Sequence, residues 1–221
     1  MNKYQKIELV RLMGFNTEDN ILVSLWEQYD QDKFNNFVIA HNISDVSIRT
    51  MATTQTKDKK TPHFPLIDIN GAKEIIPRML NDHFICIVAT PIDPKDAMIA
   101  GAAVKSEKKN SIVFDIACGP GTVRRVTHEG IIDIFCEYNQ EHKVAMIKGN
   151  KGVSKTFVKV VSSTISEVAK IPIKNCSIEF SYYNHPVGYK KENIIIWDID
   201  GDGSSESIEE IEDTYDKLMG D

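Results

Sequence analysis

An α+β fold with a largely antiparallel sheet flanked by helices is predicted by three features of this sequence. Segments of helical and of strand-like periodicity mix without the strict alternation that a doubly wound parallel sheet requires. Strand-like stretches at residues 97–104, 111–117, 130–138 and 144–147 follow one another with only turn signals between them, as in an antiparallel meander. Near the C-terminal end, residues 176–182 turn through 184–188 and return as 193–200, an apolar hairpin that carries carboxylates in its strands.

The composition bounds the class. A chain of 221 residues that is 42% hydrophobic and 26% charged can bury a core and is ordinary for a globular protein. A net charge of −6 argues against non-specific nucleic-acid binding, because a phosphate backbone selects a basic footprint. Most of the acidic excess lies between Glu206 and Asp221, so the rest is near neutral. Cys86, Cys118, Cys136 and Cys176 are widely spaced in apolar, strand-like settings with no CxxC pair. Buried free thiols in a reducing compartment are therefore expected, rather than a zinc ribbon or a redox dithiol. The N-terminus is too broken by charge for a signal peptide and no apolar run has the length of a membrane span, so the expected location is the cytoplasm.

Taken in order, residues 3–13 have an amphipathic helical pattern through Ile7, Val10, Leu12 and Met13, stopped at Gly14. Thr17 is expected to cap a second helix with Glu18 and Asp19 in its first turn and Ile21, Leu22, Leu25, Trp26 and Tyr29 on its apolar face. Residues 37–40 and 46–50 look like short strands, and the polar stretch 51–62 like a mobile loop. A helix over 71–82 follows from Ala72, Ile75, Ile76, Met79 and Leu80, then a strand over 84–89 that Pro91 ends. After the meander come a helix at about 154–169 (Phe157, Val160, Val161, Ile165, Val168) and the carboxylate hairpin. An acidic helix over 207–219, with Ile208, Ile211, Tyr215 and Leu218 on one face, closes the chain. The expected organisation is a helical segment 1–45, an α+β domain 46–203 and a C-terminal helix 204–221.

Two motifs carry chemistry. Glu179, Asp198 and Asp200 stand on adjacent strands of the hairpin, and carboxylates in apolar strands are costly unless paired or bound to a cation. They form a candidate divalent-metal platform, Mg²⁺ with a phosphate being the common cargo. Cys118-Gly119-Pro120-Gly121-Thr122-Val123-Arg124-Arg125 follows a strand. Gly119 and Gly121 let backbone approach a ligand, and Arg124 and Arg125 supply charge-assisted donors to phosphate. A solvated GPG turn is the alternative reading.

The order of these motifs resembles the ATP-grasp domain of phosphoenolpyruvate synthases and pyruvate phosphate dikinases. In that family an "SGV-F" strand, a second strand, a glycine-rich "GLGE-VV-G" turn and another strand follow as residues 91–138 do here. Ser47-Ile48-Arg49-Thr50 resembles the "VRSS" strand end, which implies that Arg49 contacts nucleotide phosphates. Residues 88–92 resemble the "VQ-MV" strand, and Ser177-Ile178-Glu179-Phe180 the "DIEF/DIEW" strand, which implies that Glu179 binds metal. The likeness spans roughly residues 45–200 and implies an ATP-grasp-like fold that binds Mg²⁺ and ATP.

The departures are as informative. The family's hairpin ends in "LQ-R", a glutamine on the metal and an arginine on the transferred phosphoryl group, where this chain has Asp198 and Asp200. Asp198 can still ligate Mg²⁺, but a carboxylate at 200 cannot stabilise developing negative charge. The family's turn glutamate is replaced by Thr122 or Val123. The stretch before Ser47 is shorter than that family's lysine-bearing lobe and no phosphohistidine domain follows, so the expectation is an ATP-binding relative with altered chemistry rather than a complete dikinase. A phosphotransferase or ligase relative is one reading. A non-catalytic binding or assembly module, self-associating or docking a protein partner through the C-terminal helix, is another.

A third uses the same aspartates. Asp198-Ile199-Asp200-Gly201-Asp202-Gly203 with Glu209 at the twelfth position matches a calcium loop, although a strand rather than a helix precedes it. The alternative is an acidic turn capped by Asp202 or Ser204. His63, His128 and His185 do not cluster, and each is expected at the surface or in a turn, with His128 beside Arg124 and Arg125 the one closest to chemistry.

Overall fold

The computed structural model describes residues 1–119, 132–141, 144–149, 155–201 and 205–220. Its architecture is α+β, with two antiparallel sheets and five α-helices among the described residues. The chain divides into two compact units, one holding residues 18–93 with 2–4, the other residues 5–17 and 94–221 with Met1. Those boundaries differ from the 45/46 and 203/204 divisions expected from sequence.

The first unit carries a four-stranded sheet in the order β1-β4-β2-β3, from β1 (Asn20–Val23), β2 (Asp45–Met51), β3 (His63–Asp68) and β4 (Ile85–Ala89). Helices α2 (Gln28–His41) and α3 (Ile69–Asn81) supply Phe34, Phe37, Ala72, Ile76 and Met79 to a core with Val23, Val46, Ile48, Cys86 and Val88. α3 keeps the expected periodicity, and the Asp68 carboxylate caps it, accepting from the Asn70 and Gly71 N–H groups at 3.0 Å.

Two expectations fail in this unit, and the loop expected at 51–62 is tethered through Thr53 and Thr56. The helix predicted from Thr17 is instead strand β1, because a short apolar run reads either way and Asn20–Val23 finds a ladder on β4. The strand predicted at 37–40 lies inside α2, where Phe34, Phe37 and Val38 share a face at helical spacing. Asn42 ends that helix in the left-handed region at φ 49°. The loop after β2 is tied down: the Thr53 hydroxyl donates to the His83 carbonyl at 2.7 Å, and Thr56 is 1% exposed.

The second unit carries a six-stranded antiparallel sheet in the order β10-β9-β5-β6-β7-β8. Its strands are β5 (Ala97–Ser106), β6 (Ser111–Cys118), β7 (Ile134–Asn139), β8 (Val144–Gly149), β9 (Cys176–Val187) and β10 (Glu192–Gly201), the meander and hairpin expected from sequence. α1 (Lys3–Leu12), α4 (Lys155–Val168) and α5 (Ser205–Gly220) bury Leu9, Val10, Val161, Ile165 and Ile211 with Ile99, Phe114, Ile178, Phe180 and Ile199. Gly101 sits where a Cβ would meet the Asp115 carbonyl at 2.5 Å and the Phe180 ring at 2.8 Å, so Phe180 reaches Phe114 edge-on only because β5 is bare there. Buried Asn16 clips residues 14–17 to the hairpin, donating to the Val187 and Ile194 carbonyls at 3.0 and 2.7 Å and accepting from the Lys190 N–H at 2.8 Å.

Candidate functional site

Alternation along the second sheet decides which side chains share a face. Ile178 and Phe180 point into the core, so Ser177, Glu179 and Ser181 occupy the opposite face of β9. Asp198 pairs directly with Glu179, Glu179 with Ala102, and Ala102 with Asp115. The row continues through Phe135 to Lys148. Glu179 and Lys148 are exposed, while Asp198 and Asp115 are half-buried. Two carboxylates opposed across an antiparallel pair lie about 5 Å apart between their Cβ atoms and repel. A cation between them reverses that sign, so the donor set fits a hard divalent ion with further ligands from water or a phosphate. The Glu179 carboxylate forms no hydrogen bond or ion pair among the described residues.

Asp200 belongs elsewhere. It pairs with Ser177 on the ladder and its carboxylate takes an ion pair from Lys6. Glu179 and Asp198 are thus brought together and Asp200 is held to α1. Among the described residues no three His, Cys, Asp or Glu side chains converge to hold a metal by themselves. The calcium-loop alternative finds no support: Asp198 and Asp200 are ladder residues of β10, so a strand stands where the entering helix belongs, and Asp202 lies outside the described residues.

The glycine turn is placed only at its root. Gly119 has φ +93°, a backbone state that favours glycine, and, its chain neighbours aside, none of the described residues lies within 4 Å of where a Cβ would stand. Its N–H donates to the Met98 carbonyl at 2.8 Å, so it is already used. The Cys118 N–H donates to the Asp133 carboxylate at 2.8 Å, tying the two ends of the turn segment. Gly121, Arg124, Arg125 and His128 lie outside the described residues.

In the first unit Arg49 is engaged with Glu18, a carboxylate only 3% exposed, through contacts of 3.1 and 3.2 Å. His63 lies opposite Arg49 on β3, and its Nε2 is 3.4 Å from the Ser47 hydroxyl. Desolvation, then the Arg49 charge, holds the imidazole below its ordinary pKa. His185 is exposed as expected, but it lies within β9, the hairpin turn falling at residues 188–191 rather than 184–188.

Sequence reasoning missed Asp115, Ser181 and Trp197. Trp197 Nε1–H donates to the Ser181 hydroxyl at 2.8 Å, on the carboxylate face. The spacing of the core residues Ile196 and Ile199, three apart in one strand, was the available signal that β10 contains an irregularity.

No family model matches the sequence, and no curated protein matches it. Among solved structures the chain is similar to carboxyaminoimidazole ribonucleotide synthase from Aspergillus clavatus in complex with ATP, at 11% identity and TM-score 0.49, covering 90% of this chain and 44% of that one. It is similar to the D-alanine-D-alanine ligase of Coxiella burnetii, at 10% identity and TM-score 0.49, covering 100% of this chain and 58% of that one. It is also similar to the macrocyclase MdnC of Microcystis aeruginosa bound to its precursor peptide, at 10% identity and TM-score 0.46, covering 99% of this chain and 60% of that one. No dikinase is among these three, and the chain spans 44–60% of their lengths. Among the described residues, no helix is long and apolar enough to cross a membrane.

Proposed function

We propose that this chain is an ATP-grasp-like protein that binds a nucleotide together with a divalent cation, Mg²⁺ being the expected ion. The observation that carries the reading is the Glu179–Asp198 pair on the face of the six-stranded sheet away from its helices, with Asp115 two strands further along the same row. Motif order along residues 45–200 supports it independently. Glu179 and Asp198 would hold the cation, which supplies charge neutralisation at a nucleotide phosphate. Arg124 and Arg125 would add donors from the glycine turn. Where a reaction occurs, phosphoryl transfer or ATP-dependent ligation is the class that positioning and charge neutralisation support.

Calorimetry with ATP and Mg²⁺ tests the reading. Binding that Glu179→Gln and Asp198→Asn each weaken tenfold or more is expected, and no heat at millimolar nucleotide overturns it.

The Lys6–Asp200 ion pair favours a second reading, a binding module without turnover, because it spends on the fold the position where the family keeps its catalytic arginine. ATP binding without ADP release over hours, with or without candidate acceptors, is the result expected from it. On α5, Ile211, Tyr215 and Leu218 pack on the unit's own core, while Ile208 and Met219 are exposed together with Glu206, Glu209 and Asp213.

A further inference from the structure

The ladder between β9 and β10 changes register at two places, near the turn between Glu192 and Ile194 and again between Ile196 and Asp198. Ile194, Ile195 and Ile196 face Tyr182, Ser181 and Phe180, and then Asp198, Ile199 and Asp200 face Glu179, Ile178 and Ser177. Trp197 is the extra residue. Continued without the shift, the first register sets Trp197 against Glu179 and Asp198 against Ile178, which points into the core. The bulge therefore does two things at once: it turns Asp198 onto the Glu179 face and returns Ile199 to the core.

We infer that the bulge at Trp197 is the positioning device for the Glu179–Asp198 cation clamp, locked by the Trp197–Ser181 hydrogen bond, so that Trp197 and Ser181 set cation affinity without touching the ion. This rests on the cation reading above. Two observations support it beyond the register. The indole N–H reaches the Ser181 hydroxyl at 2.8 Å, and Ser181 is fully buried two residues from Glu179 on the same face. Bulges also bend a strand and re-aim the side chain beside them, and they are common next to functional groups. The part-buried indole–hydroxyl bond holds the re-aimed geometry at the point where the register shifts.

The test is a double-mutant cycle on the full chain, read by Mn²⁺ and Mg²⁺ affinity. Trp197→Phe keeps the ring and removes the donor, and Ser181→Ala removes the acceptor. Each is expected to weaken Mn²⁺ binding about fivefold, the scale of one net hydrogen bond. The double variant should be no weaker than either single one, whereas independent effects would multiply to roughly 25-fold. A second readout is fluorescence in a Trp26→Phe background, where Trp197 is the remaining indole of the two tryptophans. Mn²⁺ should quench it saturably, and Glu179→Gln should abolish the quench. Wild-type affinity in both single variants, with binding lost in Glu179→Gln, overturns the positioning role and leaves the clamp standing. No cation binding by the wild type overturns both. Where Trp197→Phe fails to fold, Ser181→Ala decides alone: unchanged affinity in a variant that melts as the wild type does removes the inference.

Discussion

Arg49 holds Glu18 through two contacts of 3.1 and 3.2 Å, with the carboxylate 3% exposed and the guanidinium side chain 24% exposed. A residue expected from resemblance to reach for phosphate is, in this state, the counter-charge of a buried acid. Truncating one partner of such a pair weakens the compensation of the other charge, at up to about 3–5 kcal/mol. Arg49→Ala should therefore lower the urea unfolding free energy by about 3 kcal/mol, and Arg49→Lys by less, because it keeps the charge but not the fork. Denaturant melts with an unchanged slope would confirm a stability effect, and a loss below about 0.5 kcal/mol would show that Glu18 is satisfied without Arg49.

His63 makes the fold pH-sensitive in one direction. Desolvation and the Arg49 charge depress its pKa from the ordinary value of 6.5, so the folded state binds the proton less well than the unfolded chain. Its contribution is fully present above pH 6.5 and is lost as pH falls from there through the lowered folded-state value. The thermal midpoint of the wild type should fall more between pH 7.5 and 5.5 than that of His63→Gln. Parallel pH curves for the two proteins would place the sensitivity in another group.

Thiol chemistry divides the four cysteines. Burial pushes Cys86 up to about 12 and Cys136 up to about 11, and Cys176 is also buried. Cys118 is half-buried at the root of the glycine turn. Iodoacetamide at pH 8 should modify Cys118 first and leave the others until denaturant is added, because the thiolate is the reactive form. If Gly121, Arg124 and Arg125 hold phosphate, Mg²⁺-ATP should slow that modification. Equal rates with and without nucleotide would separate the turn from the nucleotide site.

How far the sequence could be read depended on whether a feature was local. The periodicity of Ala72, Ile76 and Met79 made α3 legible, and the alternation of Ile178 and Phe180 around Glu179 made the core face of β9 legible. Asn20–Val23 was illegible because three consecutive apolar residues carry no period, and only pairing with β4 selects the strand. The site divides in the same way. Glu179 and Asp198 could be chosen from sequence, but their opposition depends on the Trp197 bulge, and Asp115 joins the row only through the register of three strands. Asp200, equivalent to Asp198 in the motif, is removed from the pair by Lys6, a contact 194 residues away in sequence.

Asn20 offers a test of what the first sheet gives up. The residue is 6% exposed on β1 opposite Ala89, and neither its amide oxygen nor its amide nitrogen has a hydrogen-bond partner among the described residues. A buried amide without partners costs about 1–3 kcal/mol relative to one that is satisfied, and asparagine is a poor strand residue where valine is a good one. Asn20→Val should therefore raise the unfolding free energy by about 1–2 kcal/mol. Chemical denaturation of the two proteins without ligand measures the difference directly. A gain of that size identifies Asn20 as a polar group kept at the expense of stability, whereas a loss shows that the amide forms bonds in solution that valine cannot replace.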